Sequence, residues 1–272
     1  AAIWSALDVF MRQGVQFGVT IVLARLLAPG DFGLLAMLSL FVGLAGIFID
    51  GGLGAALIQR QHSSQTDESS IFFFNLGMGA LAALLLCLCA PWLAGFFGQP
   101  LLAPLSYALA LALFINAGGA IQMTLLQRAL DFRAIARIGG VASLLSGLLA
   151  IALAMRGYGV WSLAAQAVAA SAITVALLWR LHPWRPTRAF SLASLRAYFR
   201  FGAYETAANV TNVISTNLNT ILIGKLFSAH DAGLYDRAQR LQQLPADTLT
   251  LILNRVAFPA FARRNADKAW LA

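Results

Sequence analysis

Charged residues are scarce in this 272-residue chain: only 11% are Asp, Glu, Lys or Arg, against 60% hydrophobic residues. Soluble domains are about a quarter charged and about half apolar, so the composition excludes a soluble globular domain and a disordered chain. Apolar runs of about 20 residues recur from end to end, which excludes a soluble enzyme with a single anchor. The sequence therefore predicts an all-α membrane protein.

Cysteine is also rare, with only two residues in the chain. Cys87 and Cys89 lie one residue apart inside an apolar run, a spacing unsuited to a disulfide or a metal pair, so both are expected to be packing residues. The three histidines fall in separate loops, and neither a G-x-S-x-G nor a P-loop pattern occurs. We therefore expect no metal site, no cofactor and no enzymatic activity.

The apolar runs and the breaks between them predict about eight transmembrane helices. Gly, Pro and polar clusters separate the runs, and short connections alternate with longer ones along the chain. The predicted spans are about 4–28, 33–58, 71–97, 101–126, 138–155, 159–180, 199–227 and 234–261.

The Lys and Arg residues are distributed unequally between the two sides of this topology. Twelve of the nineteen fall on one side, three on the other, and four lie within spans. Because cytoplasmic loops are enriched in Lys and Arg, both termini are predicted to lie in the cytoplasm. The formal net charge of +8 follows from this topology, so no nucleic-acid partner is needed to explain it.

Two stretches of the sequence are similar at an offset of 200 residues. IVLARLLAPGDFGLL (21–35) aligns without a gap with ILIGKLFSAHDAGLY (221–235), and Gly33 recurs as Gly233. Six predicted spans separate the copies, and an even number gives both copies the same orientation, a parallel repeat typical of many transporters. The sequence stops after two spans of the second copy, so we expect a truncated chain.

The repeat divides the chain into a first lobe of six helices and the first hairpin of an incomplete second lobe. In the connection between them, Leu192, Leu195 and Phe199 share one helical face, as expected of a helix lying on the cytoplasmic leaflet. The same residues also suit the start of the seventh span. The predicted units are the lobe 1–182, the cytoplasmic amphipathic linker 183–198, and the hairpin 199–272.

Polar side chains inside spans are costly, and they usually face a protein interior or a wet cavity. The first span has a polar residue at every fourth position, and the seventh has a continuous polar stripe. In the repeat register Arg12 matches Asn212 and Gln16 matches Thr216, so both polar faces are predicted to line a central cavity between lobes. The predicted cavity residues are Arg12, Gln16, Asn209, Asn212, Thr216, Asn219, Arg237, Arg240 and Arg255.

Such a cavity suits an anionic headgroup, because guanidinium groups match phosphate oxygens and amides match sugar hydroxyls. A structural role for individual charges is the alternative. Asp8 and Arg12, four residues apart, can neutralise each other, and Asp50 beside its glycines can belong to a helix-packing site. The acidic residues that could couple transport to ions or protons are Asp8, Asp50, Glu205 and Asp247.

Several segments carry a family resemblance: VLARLLAPGDFGLLAM (22–37), GLGAALIQR (52–60), IGKLFSAHDAGLYDRAQRLQQLP (223–245) and RVAFPAFAR (255–263). In this order they resemble the polysaccharide flippases of the MOP superfamily, most closely the Wzx-type exporters of O-antigen, colanic acid and other exopolysaccharide precursors. Members have more spans than the eight predicted here, in agreement with the expected truncation.

The resemblance implies a bacterial inner-membrane protein that flips undecaprenyl-diphosphate-linked oligosaccharides to the periplasmic leaflet by alternating access. The partners it implies are this lipid-linked oligosaccharide, the membrane lipids and other polysaccharide-assembly proteins.

Three other functions remain as alternatives at this point. A MATE-like, cation-coupled drug or metabolite antiporter would use Asp8, Asp50 or Glu205, but cationic drugs favour a net acidic cavity. A membrane-embedded glycosyltransferase or polymerase would need a sizeable external loop with acidic residues, and none is present in the sequence. The third alternative is a membrane scaffold that does not transport.

Overall fold

The computed structural model describes residue 14 and residues 18–60 and 63–242 of the chain. Within these residues all regular secondary structure is helical. Helix α1 covers 18–26 and α10 covers 229–242. The helices between them are α2 (Pro29–Asp50), α3 (Leu53–Gln59), α4 (Gln65–Phe97), α5 (Leu102–Ala117), α6 (Ala120–Arg128), α7 (Phe132–Met155), α8 (Val160–Leu181) and α9 (Leu192–Leu226).

Four of the described helices, α2, α4, α7 and α8, are long and apolar enough to cross a membrane. The pair α5 and α6 is bent by 47° at a short break and makes a fifth candidate if the two helices form one span. The described part of the chain is therefore all-helical with four or five apolar spans, in agreement with the predicted all-α membrane protein. The count of eight spans stays a prediction, because 4–28 and 234–261 extend outside the described residues.

The predicted span 33–58 is two helices rather than one. Gly51 and Gly52, which separate α2 from α3, have φ values of 56° and 69°, a left-handed conformation that favours glycine. The Oδ1 atom of Asp50 accepts a hydrogen bond from the backbone N of Gly54 at 3.2 Å and so satisfies a free donor in the first turn of α3. Asp50 thus has a structural role, and its coupling role stays a prediction.

The connections between helices lie alternately at two opposite ends of the bundle. The short turns α1–α2, α4–α5, α7–α8 and α9–α10 form what we call the turn end, where Lys225 donates a hydrogen bond to the carbonyl oxygen of Phe96. The connections α3–α4, α6–α7 and α8–α9 form the loop end, where Gln65 donates to the carbonyl oxygen of Arg185 at 2.9 Å. The connections therefore alternate between the two ends but not in length, because only residues 129–131 join α6 to α7, whereas residues 98–101 join α4 to α5.

The connection between α8 and α9 is fastened to the start of α4. The hydroxyls of Ser69 and Thr187 are 3.0 Å apart, and the Oγ atom of Ser70 accepts a hydrogen bond from the backbone N of Ser191 at 2.9 Å. At the head of this connection, burial and the charge of Arg185 lower the pKa of His182, which therefore stays neutral at pH 7. The connection between α8 and α9 therefore packs against the start of α4 through defined hydrogen bonds.

The second half of the predicted linker, 183–198, is the beginning of α9. Ser191 caps this helix, since its Oγ atom accepts a hydrogen bond from the backbone N of Ser194. Leu195 and Tyr198 are buried against α3 and α4, whereas Leu192 is 73% exposed. Residues 192–198 thus belong to α9, and the boundaries of the predicted units stay a prediction.

The two sequence copies fold alike. Helix α1 ends at residue 26 and α2 begins at 29, while α9 ends at 226 and α10 begins at 229. In each turn an aspartate takes part in the cap: the Asp31 carboxylate accepts a hydrogen bond from the backbone N of Ala28, and Ser228 donates to the Asp231 carboxylate. The repeat predicted at an offset of 200 is thus a repeat of two helical hairpins.

The two hairpins touch at equivalent glycines. A Cβ atom on Gly33 would lie 3.0 Å from the backbone N of Gly233, and one on Gly233 would lie 2.9 Å from the N of Gly33. Each added Cβ would also overlap a carbonyl oxygen of the other hairpin, that of Ala229 or of Pro29 respectively. The contact is reciprocal, as in an interface with a local twofold axis.

Helices α2 and α9 pack antiparallel along a seam of small residues. Gly43 lies against Val213 and Gly224 lies against Met37, so no side chain on the glycines separates the helices. In lipid, close packing of this kind and interhelical hydrogen bonds hold helices together. Ser39 supplies such a bond by donating from its Oγ atom to Oδ1 of Asn217 at 2.7 Å.

Candidate functional site

A cavity of about 670 Å³ lies between α1, α2, α7, α8 and α10. Polar groups reach it from four of these helices, although the helices around it are largely apolar. Inside a membrane protein such groups are expected to face ligand, water or one another. The polar residues of its wall are Thr20, Ser143, Ser146, Gln166, Thr174, Asp236, Arg237 and Arg240.

Small residues at helical spacing create the space. On α7 the lining positions are 139, 142, 143 and 146, and on α8 they are 163, 166, 167, 170 and 174. Both sets follow the three- and four-residue intervals of a single helical face. Most of these positions hold Gly, Ala or Ser, so the two helices leave room between them where larger side chains would fill it.

Arg237 enters the cavity from α10 and stacks on an aromatic ring of α2. Its guanidinium carbon lies 3.3 Å from the centroid of the Phe32 ring, a cation–π contact. Its Nε atom is buried and has no hydrogen-bond partner among the described residues. The side chain is therefore anchored through its face and not by an acceptor.

Arg240 is held differently, by an acidic residue one turn away on the same helix. Its Nε atom lies 2.7 Å from the Oδ2 atom of Asp236, and the two form an ion pair. The Arg240 side chain is 64% exposed, while that of Asp236 is 16% exposed. With Arg237, the three residues carry one net positive charge at this wall of the cavity.

The structure brings together two of the nine predicted cavity residues, Arg237 and Arg240. Four others are exposed on α9 and are not part of the cavity wall: Asn209, Asn212, Thr216 and Asn219. Two of these positions contact α10 instead. The Nδ2 atom of Asn219 donates to the hydroxyl of Tyr235 at 3.1 Å, and the carbonyl oxygen of Thr216 accepts from Gln239 at 3.2 Å.

Most of the remaining predicted residues lie outside the part of the chain that the structure describes. Arg12, Gln16, Arg255, Asp8 and Asp247 lie outside the described residues. Thr20, the next residue on the polar face of the first helix, does line the cavity. Glu205 is exposed on α9, where its Oε1 atom lies 3.5 Å from Nδ2 of Asn209.

All wall residues except Arg237 and Arg240 are absent from the predicted cavity set, and three of them matter most for the site: Gln166, Asp236 and Phe32. Gln166 is the only amide in the span 159–180, and a lone amide in a span is itself a signal of a polar interior. Asp236 is detectable as the partner of Arg240 at a spacing of four. Phe32 has no such signal, because an aromatic residue at the start of an apolar helix is ordinary.

The donor set of the described residues suits an anion and not a metal ion. No group of three or more His, Cys, Asp or Glu side chains comes together in the part of the chain that the structure describes. The cavity wall instead offers guanidinium donors together with one amide and several hydroxyls. Such groups bind phosphate oxygens and the hydroxyls of sugars.

The family model and the curated relatives that match this chain all concern polysaccharide biosynthesis. Residues 22–272 match the model of a family described as "Polysaccharide biosynthesis protein". The chain is 29% identical over 265 residues to the succinoglycan biosynthesis transport protein ExoT of Rhizobium meliloti, covering 97% of this chain and 54% of that protein. It is 30% identical over 270 residues to the lipopolysaccharide biosynthesis protein WzxC of Escherichia coli, with the same coverage.

A third relative comes from another bacterium. The teichuronic acid biosynthesis protein TuaB of Bacillus subtilis is 31% identical over 228 residues, covering 83% of this chain and 47% of that protein. The chain thus spans about half the length of these curated relatives. No solved structure matches the chain significantly.

Proposed function

The chain belongs to the polysaccharide biosynthesis protein family, and we propose that it is part of a flippase for polyprenyl-diphosphate-linked oligosaccharides of the bacterial inner membrane. The names of the relatives support a role in supplying polysaccharide precursors, and ExoT is named as a transport protein. The single observation that carries the proposal is the arginine-bearing cavity among membrane helices. An undecaprenyl carrier and other polysaccharide-assembly proteins belong to the same proposal.

In this mechanism the headgroup occupies the cavity while the polyprenyl tail stays in the lipid. Arginine donors compensate the diphosphate charge, and Gln166 with the neighbouring hydroxyls takes sugar hydroxyl groups. Transport then needs two conformations that open the cavity to opposite sides of the membrane. Asp8, Asp50, Glu205 and Asp247 are the candidate groups for coupling this change to an ion or proton gradient.

The proposal includes a topology. The loop end carries Arg60, Arg128 and Arg185, whereas fewer basic residues lie at the turn end, so the loop end is assigned to the cytoplasm. This assignment places the N-terminus in the cytoplasm as well. Eight spans, arranged as a six-helix lobe and the first hairpin of a second, complete the proposed architecture.

The balance of charge supports an anionic substrate over a cationic one. The α10 wall of the cavity has two guanidinium groups against one carboxylate, whereas an antiporter for cationic drugs favours a net acidic cavity. The reciprocal contact of the two hairpins supports a transporter built from repeats.

The test is export in a bacterial strain that lacks its own flippase, with the protein expressed from its complete coding sequence. The double variant Arg237→Ala with Arg240→Ala should reduce surface polysaccharide at least tenfold at normal membrane abundance. Lipid-linked oligosaccharide should accumulate at the same time. Arg156→Ala is the matched control, because this exposed arginine lies in a turn away from the cavity. Full export by the double variant would contradict the proposal.

A further inference from the structure

We infer that the two cavity arginines have different roles: Arg237, held in place by Phe32, makes the direct contact with the diphosphate, and Arg240 is mainly the partner of Asp236. This inference rests on the proposed function and goes further by naming the contacting residue and the residue that positions it. The proposed function itself requires only that the cavity as a whole accept the anion.

The contact of Arg237 with the Phe32 ring orients the guanidinium group. A guanidinium that lies with its face on an aromatic ring keeps its N–H donors at the edge, where they can form paired hydrogen bonds with phosphate oxygens. Arg237 lies on the Phe32 ring in this way and lines the cavity. Phe32 therefore fixes the direction of the donors without occupying any of them.

The two arginines differ in their hydrogen-bond and ion-pair partners. Among the described residues Arg237 forms no ion pair, although Asp236 is an acidic neighbour, and its buried Nε atom has no acceptor. A buried donor without a partner costs free energy, and a charged one costs more. An anion in the cavity would offset the charge of the Arg237 guanidinium. Arg240 differs, because the Asp236 carboxylate already compensates its charge at 2.7 Å.

The internal repeat shows which residues occupy the equivalent positions in the other hairpin. At an offset of 200, Arg237 corresponds to Met37 and Phe32 corresponds to Ala232. Met37 and Ala232 are both fully buried and belong to one hydrophobic cluster. The same position of the hairpin fold thus accepts a methionine packed in the core. A guanidinium at position 237 is therefore not a requirement of the hairpin, which favours a role in binding.

Met37 also supplies the matched substitution, Arg237→Met, which installs the residue of the first copy. The protein is expressed from its complete coding sequence, purified in detergent, and tested for equilibrium binding of radiolabelled geranyl diphosphate. Geraniol and inorganic diphosphate serve as competitors, so that a site for the lipid diphosphate is distinguished from a site for the free anion. Arg156→Met is the control for loss of a positive charge elsewhere.

We expect Arg237→Met to weaken binding at least tenfold and Arg240→Met to weaken it by a clearly smaller factor. Phe32→Leu should weaken binding about threefold or more, and Phe32→Tyr, which keeps the aromatic face, should restore it. Arg237→Lys keeps the charge but loses the paired donors, so it should bind with intermediate affinity. If Arg237→Met fails to fold, the Phe32 variants and Arg237→Lys still test the inference.

Two outcomes would overturn the inference while leaving the proposed function in place: a loss for Arg240→Met equal to or greater than that for Arg237→Met, or full affinity for Phe32→Leu. A different pattern would count against the proposed function itself. In that case the unsubstituted protein would bind neither geranyl diphosphate nor inorganic diphosphate, and the double arginine variant would export polysaccharide normally.

Discussion

Lys225, at the end of α9, caps the end of α4 through Phe96. Its ammonium group donates to the Phe96 carbonyl oxygen and lies 4.5 Å from the centroid of the Phe96 ring. A cation at the carboxyl end of a helix offsets the negative end of the helix dipole. This contact joins the end of α9 to the end of α4 at the turn end.

Replacement of Lys225 by Met should therefore lower stability, by about 0.5–1 kcal/mol from the helix-end effect. The thermal unfolding midpoint of the purified protein in detergent is the measurement. Lys225→Arg should retain most of the stability, because a guanidinium can make both contacts. An unchanged midpoint for Lys225→Met would show that the contact contributes nothing to the docking of α9.

The hydroxyl of Ser70 on α4 holds the connection between α8 and α9 at the loop end. It accepts from the backbone N of Ser191 and donates to the carbonyl oxygen of Thr66. Ser70→Ala leaves a backbone donor without its partner, so we expect a loss of about 1 kcal/mol and faster proteolysis between α8 and α9. Leu192→Ala, at an exposed neighbouring position, is the control and should change neither quantity.

The glycine contact between the hairpins gives a third prediction. Gly33→Ala or Gly233→Ala places a methyl group against the backbone of the opposite hairpin, and the overpacking should cost about 1–3 kcal/mol. Gly46→Ala, on the same helix as Gly33 but with open space around it, should be neutral or stabilising by up to about 1 kcal/mol. Equal effects at positions 33 and 46 would argue against a close reciprocal contact.

The Gln166 side chain lines the cavity, and its amide is proposed to bind sugar hydroxyl groups. Gln166→Leu keeps the approximate volume of the side chain and removes the amide that faces the cavity. If this amide binds sugar hydroxyls, surface polysaccharide should fall severalfold while the abundance of the protein stays normal. Ala165→Leu, the adjacent position outside the cavity wall, is the control for added bulk. Normal export by Gln166→Leu would remove the amide from the binding site.

Much of the architecture follows from the sequence because apolar runs and breakers are local signals. The helices, their alternating ends and the repeated hairpin could be predicted in this way, and the register of Gly33 and Gly233 proved to be a physical contact. The break at Gly51 and Gly52 was missed, since an apolar run continues across it and only the backbone shows the left-handed conformation.

The site was harder to predict because its space is made by several helices together. Arg237 and Arg240 could be identified as costly charges in a span, but the stripe from Asn209 to Asn219 lies on an exposed face of α9. A polar face does not by itself show which neighbour it meets. The contribution of Phe32 depends on its stacking with Arg237, which joins two helices far apart in sequence.

The central claim is that the cavity beside α10 is wet and accepts a polyprenyl diphosphate, and cysteine accessibility tests it most directly. In the complete protein with Cys87 and Cys89 replaced by Ala, a cysteine is placed at Ser143 in the cavity wall or at Leu144, which is 45% exposed on another face of α7. A charged methanethiosulfonate reagent should label Ser143→Cys, and geranyl diphosphate should protect it. Leu144→Cys, facing lipid, should stay unlabelled. Labelling of Leu144→Cys alone, or no protection at Ser143→Cys, would contradict the account.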